Sequence, residues 1–368
     1  MKSDIQKLDK NMQVTKPESE GLKWVDPKEA PFKIAGFAWF DEEKIYRRLP
    51  LKPEYSLPPG AGVDSLADCT AGGQILFRSD TKKLAIKVKL RKIANMYHMP
   101  ATGQCGFDCY IGEPGEKKYV STVKYDHSQI SYEFIFFNLK EAKLRNITLN
   151  FPLYEGITEL QIGIDKNAKI LKPVPFINNK KIIIYGTSIT QGGCASRPGM
   201  AYTNILSRRF NYEFINLGFS GNGRGEPEVA KIISKIKNPG LFVLDYEANS
   251  VSCELFDKTL PDFIKILRKN NKNVPILVIS IIKHSAESFG VNLERRMKGL
   301  EIQKKHIEHF QKAGDKLLFF YNGEKLLGKD FYECTVDGIH PTDLGFYKIA
   351  ESLTPVFKKL LAKASNLL

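Results

Sequence analysis

Lys181-Ile182-Ile183-Ile184-Tyr185-Gly186-Thr187-Ser188-Ile189-Thr190-Gln191-Gly192-Gly193 sets an unbroken apolar run directly against a glycine-flanked serine. Apolar residues in series, without alternation, mark a parallel strand covered on both faces. A serine just past a glycine at such a strand end can sit on a tight turn, its hydroxyl above the sheet and its own N–H free. Taken alone, the same turn also reads as a plain strand-to-helix connection with Ser188 as the helix cap.

Outward from this stretch the pattern repeats. Residues 213–217, 241–245, 274–282 and 317–321 are further compact apolar runs. Between and after them the apolar spacing becomes helical, as in Leu293, Met297, Leu300, Ile307 and Phe310, and again in Phe346, Ile349, Leu353, Phe357 and Leu360. Strands alternating with helices predict a three-layer α/β domain on a parallel sheet over residues 173–368. Its entry is the extended linker Lys172-Pro173-Val174-Pro175.

Upstream of the linker the period drops to two. Leu84, Ile86, Val88 and Leu90 alternate with other residues, as do Ile147, Leu149 and Phe151, then Leu160, Ile162 and Ile164. One apolar face per strand is the mark of half-buried antiparallel sheets. Turn signals at Pro58-Pro59-Gly60, Gly72-Gly73 and Glu113-Pro114-Gly115 punctuate them. Residues 32–172 therefore read as an all-β, jelly-roll-like sandwich. Residues 1–31 show no periodicity and read as an N-terminal arm.

Composition narrows the partners. The net charge of +14 comes from lysines scattered along the chain, without the clustered face and module that nucleic acid binding calls for. No run approaches the roughly 20 apolar residues of a membrane span. The polar start of the chain lacks a signal-peptide core, so a cytoplasmic location is expected. Six dispersed cysteines suit reduced thiols better than a disulfide framework. Cys105 and Cys109, with His98 upstream, lack a second ligand pair for zinc and are read as strand residues, so no metal is expected. His98, within Met96-Tyr97-His98-Met99, is read as a loop histidine with its hydrogen bonds satisfied, reach towards a substrate being the alternative. His306 and His309 read as a solvated helix face, and Trp24 and Trp39 as core.

Chemistry gathers at the carboxyl ends of the predicted strands, where open parallel sheets bind ligands. The second strand runs into Asn216-Leu217-Gly218-Phe219-Ser220-Gly221-Asn222-Gly223, a glycine-rich turn with N–H groups to offer. The third runs into Asp245-Tyr246-Glu247-Ala248-Asn249, which brings a side-chain amide to the same edge. Asp337-Gly338-Ile339-His340-Pro341 precedes the terminal helix. An aspartate three residues before a histidine can fold back onto Nδ1–H and leave Nε2 to take a serine proton.

These four blocks, in this order, resemble the signature blocks of the SGNH/GDSL hydrolases over residues 180–368. The N-terminal segment is similar to the β-sandwich of a two-domain, carbohydrate-esterase-like subset, through Tyr46-Arg47-Arg48-Leu49-Pro50 and Thr70-Ala71-Gly72-Gly73. The resemblance implies a flavodoxin-like catalytic domain with Ser188 as nucleophile, His340 as general base and acid, and Asp337 as its orienting partner. It implies an oxyanion hole built from the N–H groups of Ser188 and Gly221 and the amide of Asn249. It requires no cofactor. Two departures stand out: Thr187 occupies the place of the aspartate in the family name, and Asn249 sits in an unusual local setting.

The expected activity is hydrolysis of a short-chain ester, acetyl first, on a small molecule or oligosaccharide. Arg197 and His284 are candidate substrate contacts, against the readings of a loop-stabilising arginine and a structural histidine. Two rivals remain: an acyltransferase using the same site, and a non-catalytic carbohydrate-binding protein. Homo-oligomer formation is left open.

Overall fold

The computed structural model describes residues 8–9, 12–14, 18–54, 56–57 and 62–365. The turn expected at Pro58-Pro59-Gly60 and most of residues 1–17 lie outside the described residues.

Two antiparallel sheets form the N-terminal sandwich. One joins β1 (Leu22–Val25), β9 (Ile157–Asp165), β4 (Lys83–Leu90) and β7 (Ser131–Asn138), in that order. The other runs β10 (Ile170–Leu171), β3 (Gln74–Ser79), β8 (Arg145–Asn150), β5 (Asp108–Ile111) and β6 (Lys118–Thr122), with β2 (Lys33–Ala35) also on β3. The alternating residues read from sequence face inward. Leu84, Ile86 and Val88 of β4 meet Ile147 and Leu149 of β8 and Ile162 and Ile164 of β9 in one core. Cys105 and Cys109 are buried in that core as free thiols.

One expectation needs correction. Part of the presumed N-terminal arm is a strand: Leu22–Val25 pairs antiparallel with Ile162–Asp165. The segment is too short to show a period, and the open edge of β9 recruits it. Trp24 lies opposite Gly163, whose missing side chain makes room for the indole, and Lys87 Nζ sits 3.9 Å from its ring centroid. Trp24 is half-buried on the sheet face, whereas Trp39 packs against the core of the C-terminal domain.

That domain is built on β11 (Lys181–Gly186), β12 (Glu213–Gly218), β13 (Pro239–Asp245), β14 (Ile276–Ile279) and β15 (Leu318–Tyr321). All neighbours are parallel, in the order β12-β11-β13-β14-β15, the flavodoxin-like arrangement. The fourth strand occupies only the middle of the apolar run 274–282. Helices α1 (Ser188–Gln191), α2 (Tyr202–Phe210), α3 (Pro227–Ile233), α4 (Cys253–Asn270), α5 (Leu293–Lys312) and α6 (Asp343–Ser365) complete the domain. Ile182 and Ile184 face α2 and α6, while Ile183 and Tyr185 face the layer of α3, α4 and α5. Both faces are thus covered, which is why the strands read as continuous apolar runs. At the start of α5, Leu293 and Met297 depart from the expected stripe and remain 39% and 43% exposed.

The two domains are joined through Arg48, which is fully buried. Its Nε donates to the Cys69 carbonyl at 2.7 Å, and its terminal nitrogens donate to the carbonyls of Leu66 and Gly218. The guanidinium lies 4.7 Å from the Phe219 ring centroid. Burial pulls its pKa down to about 10. The sandwich thereby grips the end of β12, the strand that leads into the second glycine turn.

Candidate active site

The strand order reverses between β11 and β13, the switch point at which open parallel sheets bind ligands. Ser188 leaves β11 and opens α1. Thr187 caps that helix, its Oγ1 accepting the Ile189 N–H at 3.2 Å. Capping is a role aspartate fills equally well, so threonine at this position preserves the turn.

Three candidate residues from two segments meet. Ser188 Oγ lies 3.0 Å from His340 Nε2, and His340 Nδ1 lies 2.7 Å from Asp337 Oδ2. The Asp337 Oδ1 accepts the N–H groups of Ile339 at 3.0 Å and His340 at 2.7 Å. Partial burial works against the carboxylate, but these donors and the imidazole outweigh it and hold its pKa at about 2. A carboxylate that stays charged fixes the imidazole with Nδ1 protonated and Nε2 towards the serine.

The second turn forms the opposite wall. The Phe219 carbonyl accepts the N–H groups of Asn222 at 3.0 Å and Gly223 at 2.9 Å, with Gly221 at φ +66°. Positive φ favours glycine at that corner. Gln191 braces the turn: it accepts the Ser220 N–H at 3.0 Å and donates to the Leu153 carbonyl of the sandwich domain at 3.1 Å. Asn216 ties β12 to α1 by donating to the Thr190 carbonyl at 2.7 Å. Asn249 Nδ2 donates to the Phe219 carbonyl at 3.0 Å, which brings it to the same turn. Among the described residues, neither the Ser188 N–H nor the Gly221 N–H meets an acceptor.

Two buried carboxyls underlie this surface. Asp245, at the end of β13, accepts hydrogen bonds from Thr190 Oγ1 and Tyr202 OH, each at 3.0 Å. Glu247 accepts from the Ile281 N–H and Gln303 Nε2, each at 2.8 Å. Desolvation raises both to about 7.

The two tentative substrate contacts are placed differently. Arg197 Nη1 bonds Asp108 Oδ2 at 3.0 Å and the Tyr110 hydroxyl, and the guanidinium stacks 3.9 Å from the Tyr119 centroid. Asp108 is fully buried in the sandwich, so this arginine is committed to tying the domains together rather than to a ligand. His284 is only 8% exposed, and its loop is laced to the site by the Ser285 N–H on the Gly338 carbonyl at 3.2 Å. Desolvation lowers its pKa. It is a buried neighbour of the site rather than an open contact.

His98 corrects the bland reading of that residue. Its ring meets His340 edge-on, centroids 5.4 Å apart, and its buried Nδ1 has no hydrogen-bond partner among the described residues. Nothing in Met96-Tyr97-His98-Met99 announces this contact, because the loop belongs to the other domain. His306, by contrast, pairs with Asp257 at 2.6 Å, linking α5 to α4.

Comparison with known proteins gives the family. Residues 179–358 match the GDSL-like lipase/acylhydrolase family, and residues 22–170 match the N-terminus of SGNH-hydro-type esterases. The chain belongs to the GDSL-like lipase/acylhydrolase family, in the form that carries an N-terminal β-sandwich, and is an ester hydrolase of that class. A structure described as a GDSL-like lipase from Bacteroides ovatus is 31% identical, with a TM-score of 0.84 over 93% of this chain and 98% of that one. A salicylyl-acyltransferase from a tetracycline biosynthetic pathway shares the fold at 19% identity and a TM-score of 0.76, with the same coverage of both chains. A family two carbohydrate esterase from Cellvibrio japonicus does so at 12% identity and a TM-score of 0.59, again over 93% and 98%. No curated protein matches the chain.

Proposed function

We propose that the chain hydrolyses short-chain esters, acetyl esters first, carried on a carbohydrate, through an acyl-enzyme at Ser188. The observation behind this reading is the 3.0 Å approach of Ser188 Oγ to His340 Nε2, with Asp337 seated on Nδ1. Ser188 Oγ attacks the ester carbonyl as its proton passes to His340 Nε2. The tetrahedral oxyanion takes hydrogen bonds from the Ser188 and Gly221 N–H groups and from the amide hydrogen that Asn249 does not give to Phe219. His340 then delivers the proton to the departing alkoxide, and the alcohol leaves. Water, deprotonated by His340, attacks the acyl-enzyme, and the carboxylic acid departs as Ser188 recovers its proton.

The sugar is suggested by the Cellvibrio japonicus carbohydrate esterase, whose fold the chain shares. The salicylyl-acyltransferase favours a second reading, in which an alcohol replaces water in the last step. Product analysis with an added alcohol separates the two. The first test is hydrolysis of 4-nitrophenyl acetate by the wild-type chain and by Ser188→Ala, both checked for folding by circular dichroism. Activity is expected in the wild type alone. A folded Ser188→Ala variant with full activity would overturn the assignment.

A further inference from the structure

His98 stands beside the Ser188–His340 pair, and its Nδ1 has no partner among the described residues. One of its ring nitrogens, one from His340 and a carboxylate oxygen of Asp337 all lie within 4.8 Å of one another. His340 spends Nδ1 on Asp337 and Nε2 on Ser188, and the nitrogen beside them without a partner among the described residues is Nδ1 of His98. The slot among these three side chains therefore offers a substrate hydroxyl a bonding atom on His98. A hydroxyl matches either tautomer of that imidazole, accepting from an N–H or donating to a bare ring nitrogen.

The wall around the slot has the same character. Tyr97 is 91% exposed and stacks on His98, centroids 4.4 Å apart and planes 27° from parallel. The pair presents an aromatic platform next to an unpaired polar atom. Such an arrangement takes a ring with an apolar face and hydroxyls at its edge. His340 delivers its proton to the leaving oxygen, so a group next to His340 meets the alcohol half of the ester.

We propose that His98, carried into the site by the β-sandwich, hydrogen-bonds a hydroxyl on the alcohol half of the ester beside His340, selecting esters of polyols such as sugars. This rests on the serine-esterase reading above. It makes His98 a specificity-determining residue and gives the sandwich a direct part in substrate choice.

The test crosses a substrate change with a residue change. Wild type, His98→Ala and His98→Gln are assayed on a monoacetylated methyl glycoside and on the matching deoxy analogue that lacks the hydroxyl next to the ester. In wild type, loss of the hydroxyl is expected to lower kcat/KM on the order of tenfold or more, as for a hydrogen bond to a charged or buried partner. In His98→Ala that discrimination should vanish, and in His98→Gln, which keeps a donor, part of it should return. Equal discrimination in all three proteins would overturn the proposal. So would discrimination that responds to chelator or added zinc, which would mark the slot as a metal site. Ser188-dependent hydrolysis of 4-nitrophenyl acetate, run alongside, keeps a failure of this proposal distinct from a failure of the esterase reading.

Discussion

Replacing Arg48 with methionine should loosen both the domain junction and the turn at Phe219–Gly223. The guanidinium is fully buried and donates to the carbonyls of Cys69, Leu66 and Gly218. Methionine approximates the volume of the stem but leaves those oxygens without a donor. A buried polar group stranded in this way costs about 1–3 kcal/mol. Part of the sum is offset, because the desolvation of arginine itself disappears with the charge. A net loss of about 3–5 kcal/mol follows, the three stranded carbonyls outweighing the recovered desolvation. In a protein of this size that is a fall of roughly 5 °C in Tm by calorimetry. Gly218 leads directly into the turn at Phe219–Gly223, so kcat on 4-nitrophenyl acetate should drop about tenfold or more as the turn shifts. Arg48→Lys should land between, since an ammonium cannot match a planar fork aimed at separate carbonyls. A methionine variant within about 1 kcal/mol of wild type by urea unfolding, with unchanged kcat, would refute the reasoning.

Arg197→Ala should unfold more readily, by about 3–5 kcal/mol, because Asp108 would stay buried without its cation; a large rise in KM with stability unchanged would restore Arg197 as a substrate contact. Asp245 and Glu247 are pushed up to about 7 by burial, so the folded chain keeps protons that the unfolded chain releases near pH 4. Their contribution is full below about pH 4 and is lost as pH rises through about 7. Asp245→Asn should therefore flatten the decline in urea-measured stability between pH 5 and pH 8, and parallel profiles for the two proteins would contradict the raised pKa.

The constellation at Ser188, Asp337 and His340 was legible because its parts are local. A strand running into a glycine turn carries the serine, and a three-residue step lets Asp337 fold back on His340. Asn249 was legible in the same way, as the polar residue just past a buried strand. The surroundings of Arg197 and His98 were not legible, for the opposite reason. Arg197 follows the nucleophile loop in sequence, yet its partners Asp108 and Tyr110 lie on β5 of the sandwich. The partner of His98 lies in the other domain, at the loop before α6.

By itself, the amino-acid order determined which segments become strands and helices and which polar residues stand at the strand ends. Periodicity, turn chemistry and capping act within a few residues and leave a readable trace. Only the tertiary structure decided that Leu22–Val25 would complete a sheet edge, that Arg48 would be buried against β12, and that His98 would face His340. Each of these depends on how two separately built cores pack together. That packing is set by the shapes and unsatisfied polar groups of surfaces assembled from distant parts of the chain, for which no local pattern exists.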